Sequence, residues 1–227
     1  MSLAGKIVVV TGASRGIGRA IAEVLAAGGA RLALCARDEE GLRETAAALP
    51  SPVVAHHCDL ARTDEIASFA KRVEAELGVP DVLVHNAGVV VRANLEDTSE
   101  ADWDHVLDVN LKAPFMLSRA FIGKMKARRS GRIVLIASIS GTLGTPRLSA
   151  YCASKHGVIG LMRSMAEELR EHGIQVNAIN PGSVDTEMLK GSGFPPDMPP
   201  DDIAGVVRYL ADAAPASLTG SCIDVFG

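Results

Sequence analysis

Seven short apolar runs, segments of helical period between them and a glycine-rich turn after the first run predict an α/β fold, a doubly wound parallel sheet with helices on both faces. The runs are KIVVVT (6–11), RLALCA (31–36), VVAHHC (53–58), DVLVHN (81–86), RIVLIAS (132–138), IQVNAIN (174–180) and CIDVF (222–226). They are continuously apolar rather than alternating, as strands covered on both faces must be. The segments between them, such as RAIAEVLAAGG (19–29) and DEIASFAKRVEAELG (64–78), are rich in Ala, Leu, Glu and Arg and end on glycine, which favours helix termination. Such alternation implies right-handed crossovers and a ligand site at the carboxyl ends of the strands.

The whole chain bounds the function classes. Its 227 residues, 48% hydrophobic and 22% charged, fit a single domain over 1–227. Asp plus Glu number 27 against 23 Lys plus Arg, which argues against a nucleic-acid partner, since phosphates demand a basic excess. Cys35, Cys58, Cys152 and Cys222 stand singly, without a Cys-x-x-Cys or Cys/His cluster, so no metal site and free thiols in a reducing compartment are expected. No apolar run approaches membrane-spanning length and no separate apolar leader precedes the first strand, so the expected address is cytoplasmic, with no membrane partner.

One stretch breaks the alternation. EMLKGSGFPPDMPPDD (187–202) holds four prolines and two glycines, which preclude a continuous helix. Its position after the sixth strand makes it a candidate lid over a ligand; the alternative is a tolerated surface insertion.

The first strand runs into TGASRGIG (11–18). Gly12, Gly16 and Gly18 allow backbone N–H groups close to a pyrophosphate, and the helix opening after them adds partial positive charge, so Ser14, Arg15 and Ile17 of this turn join the candidate cofactor contacts. The second strand ends in CARDEE, where an acid would bond a ribose 2′-hydroxyl and an arginine would accept a 2′-phosphate. Arg37 there and Arg15 in the turn favour NADP, guanidinium being well shaped for phosphate. The rival reading makes Asp38 the ribose ligand, although Asp38 also suits the N-cap of the next helix.

In YCASK (151–155), Tyr151 and Lys155 are four residues apart and share one face of a helix. Carbonyl reduction builds negative charge on oxygen and needs a proton donor, and a neighbouring ammonium is expected to depress the phenol pKa toward neutrality. Taken in order, TGASRGIG, HNAG (85–88), Asn110, Ser138, YCASK and NPG (180–182) closely resemble the short-chain dehydrogenase/reductase family, among its members the 3-oxoacyl-acyl-carrier-protein reductase type. The resemblance spans essentially the whole chain and implies a Rossmann-like fold.

It also implies roles. Tyr151 protonates the substrate oxygen, Ser138 holds it, Lys155 lowers the tyrosine pKa and bonds the nicotinamide ribose, and Asn110 holds a water linking the lysine to solvent. Asp59 and Leu60 match the adenine-binding pair. Asn86, Ala87 and Gly88 line the adenosine side, and Pro181, Gly182, Val184 and Thr186 hold the nicotinamide carboxamide. His85 departs from the usual asparagine and is expected to be a satisfied structural histidine. Cys152 is expected to serve packing. KMKARRSGR (124–132) either docks an acidic carrier protein or simply answers a helix dipole.

The resulting expectation is an NADP-dependent enzyme interconverting a carbonyl and a secondary alcohol, on a small-molecule or carrier-bound substrate such as a 3-oxoacyl thioester. The resemblance implies a homodimer or homotetramer, and the loop from Thr186 to Asp202, shorter than in most family members, suggests an open pocket. A dinucleotide-binding sensor or scaffold without catalysis is the alternative, and it has no chemical need for the Ser138, Tyr151 and Lys155 set.

Overall fold

The computed structural model describes residues 3–50 and 52–227; Met1, Ser2 and Ser51, which belong to the expected 1–227 domain, lie outside the described residues. All seven expected strands form: β1 (Ile7–Thr11), β2 (Arg31–Ala36), β3 (Val53–His57), β4 (Val82–His85), β5 (Gly131–Ile136), β6 (Ile174–Pro181) and β7 (Cys222–Val225). They make one parallel sheet in the order β3-β2-β1-β4-β5-β6-β7. Helices α1 (Gly16–Ala27), α2 (Glu39–Ala48) and α7 (Pro200–Asp212) cover one face; α3 (Thr63–Glu76), α5 (Ala113–Arg128) and α6 (Ser149–Leu169) cover the other. Helix α4 (Glu100–Leu107) precedes α5 and packs beside α6.

The continuous apolar runs are explained by two cores, one on each face. Val8 and Val10 of β1 enter the core under α1, while Val9 enters the core under α5 and α6. β2 and β5 divide their side chains in the same way, Leu32 and Leu34 against Ala33 and Cys35, and Val134 and Ile136 against Ile133 and Leu135. A polar residue on either face of these central strands would be buried without water.

Three local boundaries differ from expectation. β5 stops at Ile136, and Ser138 instead caps a short 3-10 turn (Ile139–Gly141), its hydroxyl accepting from Ser140 N at 3.1 Å. The irregular segment ends at Pro199, because Pro200 serves as the first residue of α7, where its missing N–H is no loss. Between α4 and α5 the backbone forms a π-helical turn (Asp108–Lys112), a wider turn found mainly at functional sites, and Asn110 sits in it.

The cations of 124–132 bond to other segments of the protein. Lys124 and Lys126 pair with Glu74 and Glu168. Arg128 donates to the Val79 and Pro80 carbonyls and pairs with Asp81, and Arg129, left-handed at φ 53°, donates to Glu171 O at 2.6 Å. Arg132 donates to Leu210 O and Ala214 O, closing the end of α7. No helix among the described residues is long and apolar enough to cross a membrane, and no group of three or more His, Cys, Asp or Glu among them is placed to hold a metal ion.

His85, at the end of β4, is 4% exposed and its Nε2 lies 2.8 Å from Ser118 Oγ. Burial pushes its pKa down from 6.5 to about 4, so it is neutral at physiological pH. Between these values the unfolded chain binds a proton that the native state refuses, so stability rises with pH across this window and is lost on acidification through it. The difference corresponds to about 3 kcal/mol lost between pH 6.5 and 4. Urea unfolding at pH 7, 5.5 and 4.5 should show this slope in the wild type and a flatter one in His85→Asn; equal slopes would assign the acid sensitivity to other groups.

Candidate active site

The site begins where connections from β1 and β4 leave the sheet in opposite directions, opening a crevice at their carboxyl ends. It is a cleft of about 1280 Å³. Into it runs the turn after β1, in which Gly12 (φ 68°) and Gly16 (φ 55°) take left-handed conformations that suit glycine. Gly12 N donates to Cys35 O at 2.8 Å, fastening the turn to β2. Space is equally restrictive: a Cβ on Gly12 would lie 2.8 Å from Ala87 Cα, and one on Gly18 would lie 2.1 Å from Gly12 O and 2.5 Å from Asn86 Nδ2. Helix α1 has neither a side-chain cap nor an acid in its first turn, which leaves its opening N–H groups for an anion. This cradle fits a dinucleotide pyrophosphate.

Asn86 holds the two walls together. Its Nδ2 donates to Thr11 O at 3.0 Å and Gly12 O at 3.2 Å, while Thr11 Oγ1 accepts from Asn86 N and Ala87 N, both at 3.1 Å. Thr11 was not among the residues singled out from the sequence; its place as the last residue before the glycine turn is the only signal it gives. At the adenosine end, Asp59 and Leu60 line the cleft, with Asp59 Oδ1 accepting from Ala61 N at 3.0 Å. Arg15 and Arg37 are exposed on the rim and neither forms an ion pair among the described residues. Asp38 caps α2, its carboxylate accepting from Gly41 N at 3.2 Å.

At the other end, Tyr151 and Lys155 project from the first turns of α6 toward Ser138. Ser138 and Tyr151 line the same part of the cleft. Lys155 is 4% exposed; its Nζ donates to Ile136 O at 2.8 Å and lies 5.6 Å from the Tyr151 ring centroid. Burial pushes its pKa down to about 8. Burial raises the phenol pKa, and Ser138 and the Arg92 charge pull it back.

Pro181, Gly182, Val184 and Thr186 line the cleft beyond β6, and Gly182 N donates to Val225 O at 2.8 Å. The following segment does lie over the opening. Thr186 sits against Gly16, and Arg92 Nη2 donates to Met188 O at 2.6 Å across the cleft. Lys190, and after it Arg15, hold the Glu187 carboxyl below its usual range.

Every proposed cofactor residue lines this cleft, as do Ser138, Tyr151 and Lys155; Asn110 does not. It is 2% exposed behind the wall, where its Oδ1 accepts from Val89 N at 2.8 Å and its Nδ2 donates to Val89 O and Ser154 Oγ. Ser154 Oγ in turn donates to Tyr151 O at 2.7 Å. With both amide hydrogens committed, the Asn110 side chain braces the β4 exit against the turn that carries Tyr151. Ser154, Arg92 and Met188 were also missed in the sequence, since their roles depend on partners more than 20 residues away.

A dinucleotide cradle running into a Ser–Tyr–Lys cluster, its serine and lysine buried and its tyrosine half-buried, defines a nicotinamide-dependent oxidoreductase. Comparison with known proteins gives the same class: the family described as short chain dehydrogenase matches residues 6–193, and the chain belongs to that family. It is 38% identical over 237 residues to Nodulation protein G of Rhizobium sp. (strain N33), covering 99% of this chain and 97% of that protein. It is 36% identical over 239 residues to the 3-oxoacyl-acyl-carrier-protein reductase FabG of Escherichia coli (strain K12), covering 100% and 98%. Among solved structures, that of levodione reductase superposes with a TM-score of 0.92 at 28% identity, covering 98% of this chain and 96% of that one. The protein is thus an oxidoreductase that interconverts a carbonyl and a secondary alcohol with a nicotinamide dinucleotide.

Proposed function

We propose that the protein reduces a 3-oxoacyl thioester with NADPH, free or carried on an acyl carrier. The observation carrying the cofactor choice is the pair of guanidinium groups on the adenosine rim, Arg15 and Arg37, neither in an ion pair among the described residues, with Asp38 committed to its helix cap. The substrate choice draws support from the relatives named for 3-oxoacyl-acyl-carrier-protein reduction.

The bound dinucleotide supplies the hydride. As negative charge builds on the substrate oxygen, Tyr151, kept protonated by its raised pKa, gives that oxygen its proton. Ser138 holds the same oxygen by hydrogen bonding. Lys155, partly deprotonated near pH 8, is the buried group best placed behind the tyrosine to restore its proton. Asn110 keeps the first turn of α6 in position through Ser154. The exposed Trp103 and Phe115 on α4 and α5 support a homo-oligomer formed through these helices.

Charge-assisted contacts to a 2′-phosphate set the expected effect of removing the two arginines. In Arg15→Ala/Arg37→Ala, NADPH affinity should fall about 10- to 100-fold and NADH affinity by less than about threefold. Fluorescence titration of both reduced cofactors measures it, and equal losses for the two would overturn the NADP assignment.

A further inference from the structure

Arg92 is a cation in the substrate half of the cleft without a counter-charge. It follows β4 and the HNAG turn, is half-buried, and makes no ion pair among the described residues. Its one hydrogen bond among the described residues, Nη2 to Met188 O, uses a single N–H of a group that carries five. A lid held only through a carbonyl needs a donor, not a charge. The charge acts elsewhere: it is felt at the Tyr151 phenol, where it favours the deprotonated form. Leu143, Met188 and Phe194 line the same cleft and are 57%, 38% and 61% exposed.

We infer that Arg92 is a specificity-determining residue that receives the second carbonyl oxygen of the substrate, beside the carbonyl that Ser138 and Tyr151 engage, while the substrate's apolar portion rests on Leu143, Met188 and Phe194. This inference rests on the reductase reading and narrows it to substrates with two carbonyl oxygens, one reacting and one held. A guanidinium fork suits a thioester carbonyl or a carboxylate alike, both offering in-plane lone pairs. Because the same side chain ties down Met188 O, substrate and lid are read by one group: the loop is anchored across the cleft where the second oxygen arrives.

The test uses the dead-end complex of the protein with NADP⁺ and a ketone, in which no hydride can move. Calorimetric titration is done with acetoacetyl-N-acetylcysteamine, with acetoacetate and with 2-pentanone, on the wild type, Arg92→Ala and Arg92→Lys. Expected are an affinity loss of about 10- to 100-fold in Arg92→Ala for the dicarbonyl ligand that binds, partial recovery in Arg92→Lys, and less than about twofold change for 2-pentanone. In turnover the loss should fall on KM more than on kcat. Equal weakening of all three ligands would reduce Arg92 to a lid anchor and overturn the inference, as would a wild type that binds no dicarbonyl better than 2-pentanone. If acetoacetate shows the Arg92 dependence and the thioester does not bind, the inference stands with a carboxylate in that place and the 3-oxoacyl thioester reading fails.

Discussion

Tyr151→Phe is expected to lose about 1000-fold in kcat while keeping its fold and its affinity for NADPH. The substitution removes one oxygen and leaves the ring, which is packed near Lys155 Nζ, 5.6 Å from its centroid. On the proposed mechanism, what disappears is the proton donor. A loss of this size is about 4 kcal/mol of transition-state stabilisation, within the range a positioned general acid supplies. Steady-state reduction of a 3-oxoacyl thioester, with thermal unfolding and NADPH titration alongside, separates chemistry from damage. Retention of more than a tenth of the activity would mean that another group delivers the proton.

Gly18→Ala is expected to be at least as damaging, by an entirely different route. The added methyl would stand 2.1 Å from Gly12 O and 2.5 Å from Asn86 Nδ2. Neither neighbour is a flexible side-chain end free to step aside: Gly12 is backbone fastened to Cys35 O, and Asn86 Nδ2 is bonded to Thr11 O and Gly12 O. Stability should fall by about 3 kcal/mol or more, with NADPH binding lost in whatever remains folded. Gly205→Ala in α7, where a Cβ meets nothing within 4 Å, serves as the comparison and should gain up to about 1 kcal/mol. Chemical denaturation of both variants gives the contrast; similar stabilities would mean that the turn relaxes around the methyl.

The sheet was legible because burial on both faces imposes unbroken apolar runs, a constraint each strand carries by itself. The glycine turn was legible for a similar reason, since left-handed backbone and close approach leave few alternatives to glycine at Gly12, Gly16 and Gly18. Partnerships between distant segments were not. Nothing in DVNLK distinguishes a π turn from an ordinary helix, and so the bracing of Val89 and Ser154 by Asn110 stayed hidden. Spacing along a helix brings Lys155 to the same face as Tyr151 but says nothing of the Ile136 carbonyl that accepts from its ammonium. Arg92 looked like any loop arginine until its contact with Met188 showed which opening it borders.

The crevice between β1 and β4 comes from the order in which strands are joined, not from any side chain removed to make room. Its rims therefore form a layer of the molecule that can be edited separately from its load-carrying interior. Arg15 and Arg37 on one rim, and Arg92, Leu143 and Phe194 on the other, can be exchanged without disturbing either core, whereas Thr11, Gly18 and Asn86 in the floor cannot. On the roles proposed for these arginines, cofactor preference and substrate preference become separate variables, each open to selection or to design.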